Sequence, residues 1–263
     1  MKIIIITILF ISAIFLSCSN KETPELKQEK SLSGESIKFE MTEFKKSVNN
    51  CNPESDSCTY ILMNYPLLTS GSIKEKVNGY ISLYLKDSIW TQEGYTNNDL
   101  NQLAVNFFHE QDALKKITAI LNMPFQLKVN SDIKYQTVSN ITLSINYFIF
   151  TGGAHPNEFT KYTVFSKSSG NVLSLNDIFK PGFEDLLNKK IDMAFRKKKG
   201  LTESDNLQTK GGLFENKISY NNNFAISEDV IDFFYNNYEI APYVNGSTEL
   251  KIPLSELKEI LKK

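Results

Sequence analysis

From Ile141 to Ile149 the chain alternates with a period of two. Ile141, Leu143, Ile145, Tyr147 and Ile149 fall on one side, with Thr142, Ser144, Asn146 and Phe148 between them. Successive strand side chains point to opposite faces, so this period marks a strand and not a helix. The neighbouring stretches 125–137 and 158–166 read as strands of the same meander. Upstream, Ile37, Phe39 and Met41 alternate with polar residues, and a second strand follows over 60–66. Helical periodicity appears at 72–87, where Ser72 and Glu75 have capping-box spacing, and at 98–122, with Leu100, Leu103, Val105, Phe107, Leu114 and Ile117 in its stripe. Ser168 to Asn171 has hairpin-turn composition; Val172 to Leu175 continues as strand, and Asn176 can cap a short helix through Phe179. A helix over 183–199 ends in Arg196-Lys197-Lys198-Lys199-Gly200, positive charge where the helix dipole is negative. Residues 201–223 read as loop, 224–226, 230–235 and 248–252 as strands, and a last helix is expected from Pro253 to Lys263. The fold class is α+β: antiparallel meander sheets with helices packed on one face, in two fused subdomains.

The N-terminus has a different character. Met1-Lys2 is followed by an uncharged apolar run from Ile3 to Leu16. That run is shorter than the ~20 residues needed to cross a bilayer, and a charged start before it reads as a signal peptide over 1–17. Leu16-Ser17-Cys18 resembles the lipobox of bacterial lipoproteins, in which the cysteine is acylated and becomes the new N-terminus. The resemblance implies palmitate-type acyl chains on Cys18, a membrane anchor and a place in the cell envelope. Ser19 in place of Asp resembles an outer-membrane address of a Gram-negative bacterium. Residues 18–35 then form a polar, flexible tether.

The chain carries 29 basic and 30 acidic residues, and loss of Lys2 with the leader makes it one unit more negative. That balance gives no electrostatic basis for nucleic-acid binding. With Cys18 taken by lipid, Cys51 and Cys58 remain. In an oxidising compartment such a pair forms a disulfide or stays as free thiols, and the turn-rich loop between them suits the disulfide. With 2 histidines in the whole chain and no dense acidic cluster, no metal site is indicated. Nor is there a nucleophile elbow, a zinc-protease motif or a phosphate loop, so no cofactor is implied.

Two stretches stand out. Thr151-Gly152-Gly153-Ala154-His155-Pro156 follows the long strand, and Tyr235 to Gly246 holds Tyr235, Tyr238 and Tyr243 around Glu239 and Pro242. Gly152-Gly153 allows positive φ and so a sharp turn or close backbone approach. His155 on that turn is a structural brace, a binding residue or a general base, and the last requires a partner such as Glu239 or Asp177. The tyrosine stretch is an architectural corner or a binding surface for sugar or protein.

Together with Leu173 to Phe179, these stretches resemble the C-terminal extracellular domain of the anti-sigma factor RsiV. They are similar also to the non-catalytic region of the peptidoglycan deacetylase PdaC. The resemblance divides the globular part into a PdaC-like N-terminal subdomain, 36–150, and an RsiV-like C-terminal subdomain, 151–263. The helix at 98–122 departs from it. The resemblance implies a non-catalytic envelope lipoprotein that binds a lysozyme-like protein or peptidoglycan. The candidate binding residues are Gly152, Gly153, His155, Tyr235, Tyr238, Glu239, Pro242 and Tyr243. The alternatives are an envelope hydrolase or deacetylase using His155, and a purely structural lipoprotein. Neither a cytoplasmic sigma-binding segment nor a deacetylase domain is expected beside it. If Cys18 is the anchor, Cys18→Ala abolishes incorporation of labelled palmitate and moves the protein from the membrane to the soluble fraction.

Overall fold

The computed structural model describes residues 37–117 and 123–262. The leader, Cys18, the tether and the end of the helix expected to reach residue 122 lie outside the described residues. Among the described residues, two sheets and four α-helices make up a mixed α+β fold. The first sheet has the order β1 (Phe39–Ser47), β2 (Tyr60–Leu68), β3 (Gln126–Gln136), β4 (Asn140–Phe150), β5 (Asn157–Ser166). It draws on strands from both sides of residue 150. The second sheet is β6 (Phe224–Ile226), β7 (Val230–Tyr235), β8 (Thr248–Pro253).

β3, β4 and β5 form the expected antiparallel meander. The β2/β3 pair is parallel, which the sequence did not reveal. Parallel neighbours need a crossover, and here it carries two helices, α1 (Lys74–Asp87) and α2 (Leu100–Ile117). Val77, Ile81 and Leu85 of α1 and Leu103 and Phe107 of α2 pack with Ile141, Leu143 and Ile145 of β4 in one core. Burying each such side chain fully is worth about 1.5–3 kcal/mol. Val105 and Ile117, read as part of the α2 stripe, are 60% and 76% exposed and face away from that core.

The residues between the apolar positions of β4 are not wet. Thr142 and Ser144 are buried, and Thr142 Oγ1 donates to the Ile226 carbonyl at 3.4 Å. The second sheet therefore lies over this side of the first. It has its own core, in which Leu187, Ile191 and Phe195 of α4 (Glu184–Lys199) meet Leu250, Ile252 and Phe233. Gly200 ends α4 in the left-handed conformation, φ 68°, after its basic last turn.

Four local expectations need correction. Helix α1 starts at Lys74 with Ile73 at its N-cap, so Ser72 does not open it. Helix α2 starts at Leu100, where Asp99 Oδ1 accepts the Gln102 N–H at 2.8 Å, as an N-cap carboxylate does. The short helix α3 (Leu175–Ile178) is capped by Ser174 and not Asn176, because Asp177 completes a capping box with Ser174; the expected strand from Val172 shrinks to one bridge with Phe165. The last helix does not form. After a single 3₁₀ turn, Leu254–Glu256, the chain pairs sideways: Ile260 O accepts Lys180 N–H and Lys262 N–H donates to Ile178 O. Those bonds take the backbone groups a helix would have used.

Cys51 and Cys58 are joined in a disulfide, Cα–Cα 5.6 Å, which closes the β1–β2 connection. Between the sheets, Lys134 Nζ lies 2.9 Å from Glu249 Oε1 and 3.4 Å from the fully buried Asp232. Tyr135 and Tyr162 donate hydroxyls to Asp232 and Glu249 at 2.7 and 2.8 Å. Burial alone would raise the pKa of Glu249, but the hydrogen bonds from Lys134 and Tyr162 outweigh it and lower it.

The outer edge of β5 is closed by asparagine side chains. Thr160 N–H donates to Asn236 Oδ1 and Tyr162 N–H to Asn223 Oδ1, both at 2.7 Å. Asn223 Nδ2 and Asn236 Nδ2 return bonds to the Thr160 carbonyl at 2.8 and 3.2 Å. Both asparagines are buried. An amide offers a donor and an acceptor together, so two of them mimic a short paired strand. Removing either leaves a buried backbone N–H without a partner, at a cost of about 1–3 kcal/mol beyond the lost bonds. Asn223→Leu and Asn236→Leu are each expected to lower urea stability by about 2–4 kcal/mol with unchanged m-value, and Asn222→Ala, at an exposed neighbour, by under about 0.5.

Candidate functional site

The turn after β4 and the corner after β7 meet at the end of the two sheets. Gly152 and Gly153 take φ of 91° and 108°, which turns the chain back into β5. A side chain at Gly153 would meet nothing within 4 Å, so it is the backbone angle that calls for glycine there. The turn presents His155 to solvent. Its Nδ1 is 3.0 Å from the Pro156 carbonyl, a pairing that requires the proton on Nδ1. Nε2 faces the Tyr238 hydroxyl at 3.5 Å. The imidazole stacks on Tyr243, centroids 4.2 Å apart and planes 18° from parallel. Tyr238 lies 5.6 Å from Tyr243 and 6.2 Å from His155, completing an aromatic trio.

The corner is built to hold that trio. Tyr235, at the end of β7, is buried and donates its hydroxyl to Ser219 O at 2.7 Å; burial pushes its phenol pKa up. It supports the surface from below and is not part of it. Glu239 accepts the Asn236 N–H at 2.8 Å and Asn221 Nδ2 at 2.6 Å, one bond on each oxygen. Pro242 opens a 3₁₀ turn over Tyr243–Asn245. Between Asn236 and Glu239 the chain passes through Tyr238, whose φ is +65°. A left-handed tyrosine costs about 1 kcal/mol or more, and this one is 54% exposed, so no core requires its ring.

Of the eight residues singled out in the sequence, His155, Tyr238 and Tyr243 form the surface. Gly152 and Gly153 shape it, and Tyr235, Glu239 and Pro242 brace it. The structure does not pair His155 with a carboxylate: Glu239 is held by the two asparagines, and Asp177 by Ser174 at 2.7 Å. Among the described residues no group of three or more His, Cys, Asp or Glu is placed to hold a metal.

Sequence reasoning missed the amides beside the trio. A groove of about 430 Å³ runs from Tyr238 and Glu239 past Asn221, Asn222 and Asn223 to Phe159 and Lys161. Across Asn236 and Asn237 lies a pocket of about 220 Å³ walled by Tyr147, Phe148, Phe159, Asn130 and Asn146. There Tyr147 and Phe159 stack at 5.5 Å. Burial lowers the Lys161 pKa, and the charge of Glu239 partly offsets this. The run Asn221-Asn222-Asn223 was visible as polar loop; what was not visible is that β5 brings it beside aromatic rings.

Residues 176–255, which include the tyrosine corner and its asparagines, match the family model described as "Protein of unknown function (DUF3298)". A DUF3298 domain is present. The chain is also 31% identical over 140 residues to a protein of Bacillus subtilis (strain 168) named peptidoglycan-N-acetylmuramic acid deacetylase PdaC. That match covers 52% of this chain and 29% of the relative, so the chain spans less than a third of that protein. Two solved structures share the fold. A DUF3298 family protein from Pseudomonas aeruginosa PAO1 has TM-score 0.66 at 18% identity, covering 87% of this chain and 96% of that one. A DUF3298 family member from Bacteroides fragilis NCTC 9343 has TM-score 0.66 at 21% identity, covering 87% and 94%.

The DUF3298 domain thus carries a strained, exposed tyrosine at its surface. Tyr238→Gly removes the ring and relieves the backbone. It is expected to leave urea stability unchanged or to raise it by up to about 1 kcal/mol. A clear loss would mean that the ring is there to stabilise the fold.

Proposed function

We propose that this chain is a lipid-anchored envelope protein, held in the outer membrane through Cys18, whose DUF3298 domain binds the glycan of peptidoglycan without chemistry of its own. The observation that carries this reading is Tyr238, exposed and backbone-strained beside His155 and Tyr243, next to a groove lined by asparagine amides. Sugar rings offer apolar C–H faces to aromatic rings and hydroxyl and acetamido groups to amides, each of which both donates and accepts. Sites that bind small ligands combine apolar walls with a few placed polar groups in this way. The name of the Bacillus subtilis relative points to the same polymer.

A protein ligand of lysozyme type is the second reading. Val244 is 88% exposed on the same corner, and exposed apolar side chains beside tyrosines suit a protein surface.

The two readings separate in one assay. The leaderless chain from residue 19 is incubated with purified sacculi and, separately, with immobilised lysozyme. Retention on sacculi, reduced at least tenfold by Tyr238→Ala with Tyr243→Ala, is expected. Retention on lysozyme alone favours the second reading, and retention on neither contradicts both.

A further inference from the structure

The second sheet ends at β8, which has no strand on its far side among the described residues. Leu254 N–H donates to Asp229 O at 2.8 Å, just beyond the strand. Hydrogen-bonded positions alternate in an antiparallel pair. Ile252 and Leu250 therefore bond to β7, while the N–H and C=O groups of Glu249 and Lys251 point outward. They face a groove of about 750 Å³ whose other wall is α4, through Met193, Ala194 and Lys197. Leu250 and Ile252 are 1% and 2% exposed, so beside its backbone β8 offers this groove the side chains of Glu249, Lys251 and Pro253. At about 3.3 Å per residue, Glu249 to Pro253 give an edge of about 16 Å. A strand edge facing the flank of a helix is the geometry in which an extended peptide adds as one more strand.

The charge selects the peptide. Lys190 is matched by Glu256 at 2.8 Å, and Glu249 is already engaged by Lys134 at 2.9 Å. Lys251 lies 3.9 Å from Asp232 and balances it while Lys134 holds Glu249, so the unmatched charges are Lys197 and Lys198, exposed on α4. The groove is thus left positive, with the 43% exposed Met193 as an apolar contact. Lys251 and Pro253 are also residue types that keep edge strands from pairing indiscriminately. A second copy of β8 would bring its own lysine and proline onto them. An incoming strand with carboxylates has the opposite charge.

We propose that the free edge of β8, with α4 beside it, binds an extended acidic segment of another protein by strand addition. This surface is separate from the aromatic trio and does not depend on the glycan reading. The test uses the isotope-labelled leaderless chain and two blocked hexapeptides, one alternating Glu and Val, the other Lys and Val. The Glu peptide is expected to shift the amide resonances of Glu249 and Lys251, and the Lys peptide is not. Lys197→Glu with Lys198→Glu should weaken binding at least tenfold. Lys251→Pro, which removes an outward N–H that β7 does not use, should abolish it while the rest of the spectrum is retained. Tyr238→Ala with Tyr243→Ala should leave it intact. Equal response to both peptides, shifts confined elsewhere, no shift at all, or concentration-dependent pairing of β8 with a second copy would each overturn the proposal.

Discussion

Two buried asparagine side chains hold together the two halves of this fold and its candidate site. β5 ends the five-stranded sheet, and Thr160 and Tyr162 turn their backbone groups away from β4. Asn223 and Asn236 meet those groups with amides, so the edge is satisfied without another strand. An unpaired backbone group buried there would cost about as much as a hydrogen bond is worth. The same asparagines flank the second sheet: Asn223 precedes β6 and Asn236 follows β7. Closing the edge thus fixes where the second sheet lies on the first.

The site follows from that closure. Asn236 is bonded to β5 through its side chain and to Glu239 through its backbone N–H, and Glu239 is bonded in turn to Asn221. The turn carrying Tyr238 is therefore pinned at both ends, which is what holds a tyrosine at positive φ. His155 reaches the corner from the opposite direction, on the turn that precedes β5. The strand closed by the asparagines is thus also the strand that brings the histidine turn to the tyrosines. The asparagines next to the closure, Asn221, Asn222 and Asn237, line the groove beside the rings, with Asn222 the exposed one.

Much of this was legible in the sequence where a feature depends on local pattern. The alternation at Ile141 to Ile149 marked β4, and Gly152-Gly153 and the tyrosine corner marked the two loops that meet. What depends on distant pairing was not legible. The parallel β2/β3 contact is set by two helices between the strands, and no residue in either strand announces it. Burial of Thr142 and Ser144 follows from a sheet formed eighty residues later, and their polarity does not announce it. The last helix was lost because its backbone found partners at Ile178 and Lys180, outside any local window. Asn223 and Asn236 looked like loop composition because an asparagine that pairs with a strand edge resembles one that faces water.

The closure of β5 by asparagine side chains is tested most directly by hydrogen exchange at the Thr160 and Tyr162 amides. Both are expected to exchange as slowly as the central β4 amides, through global unfolding. Exchange at the rate of an open strand edge, with β4 still protected, would contradict the closure and the placement of the site that rests on it.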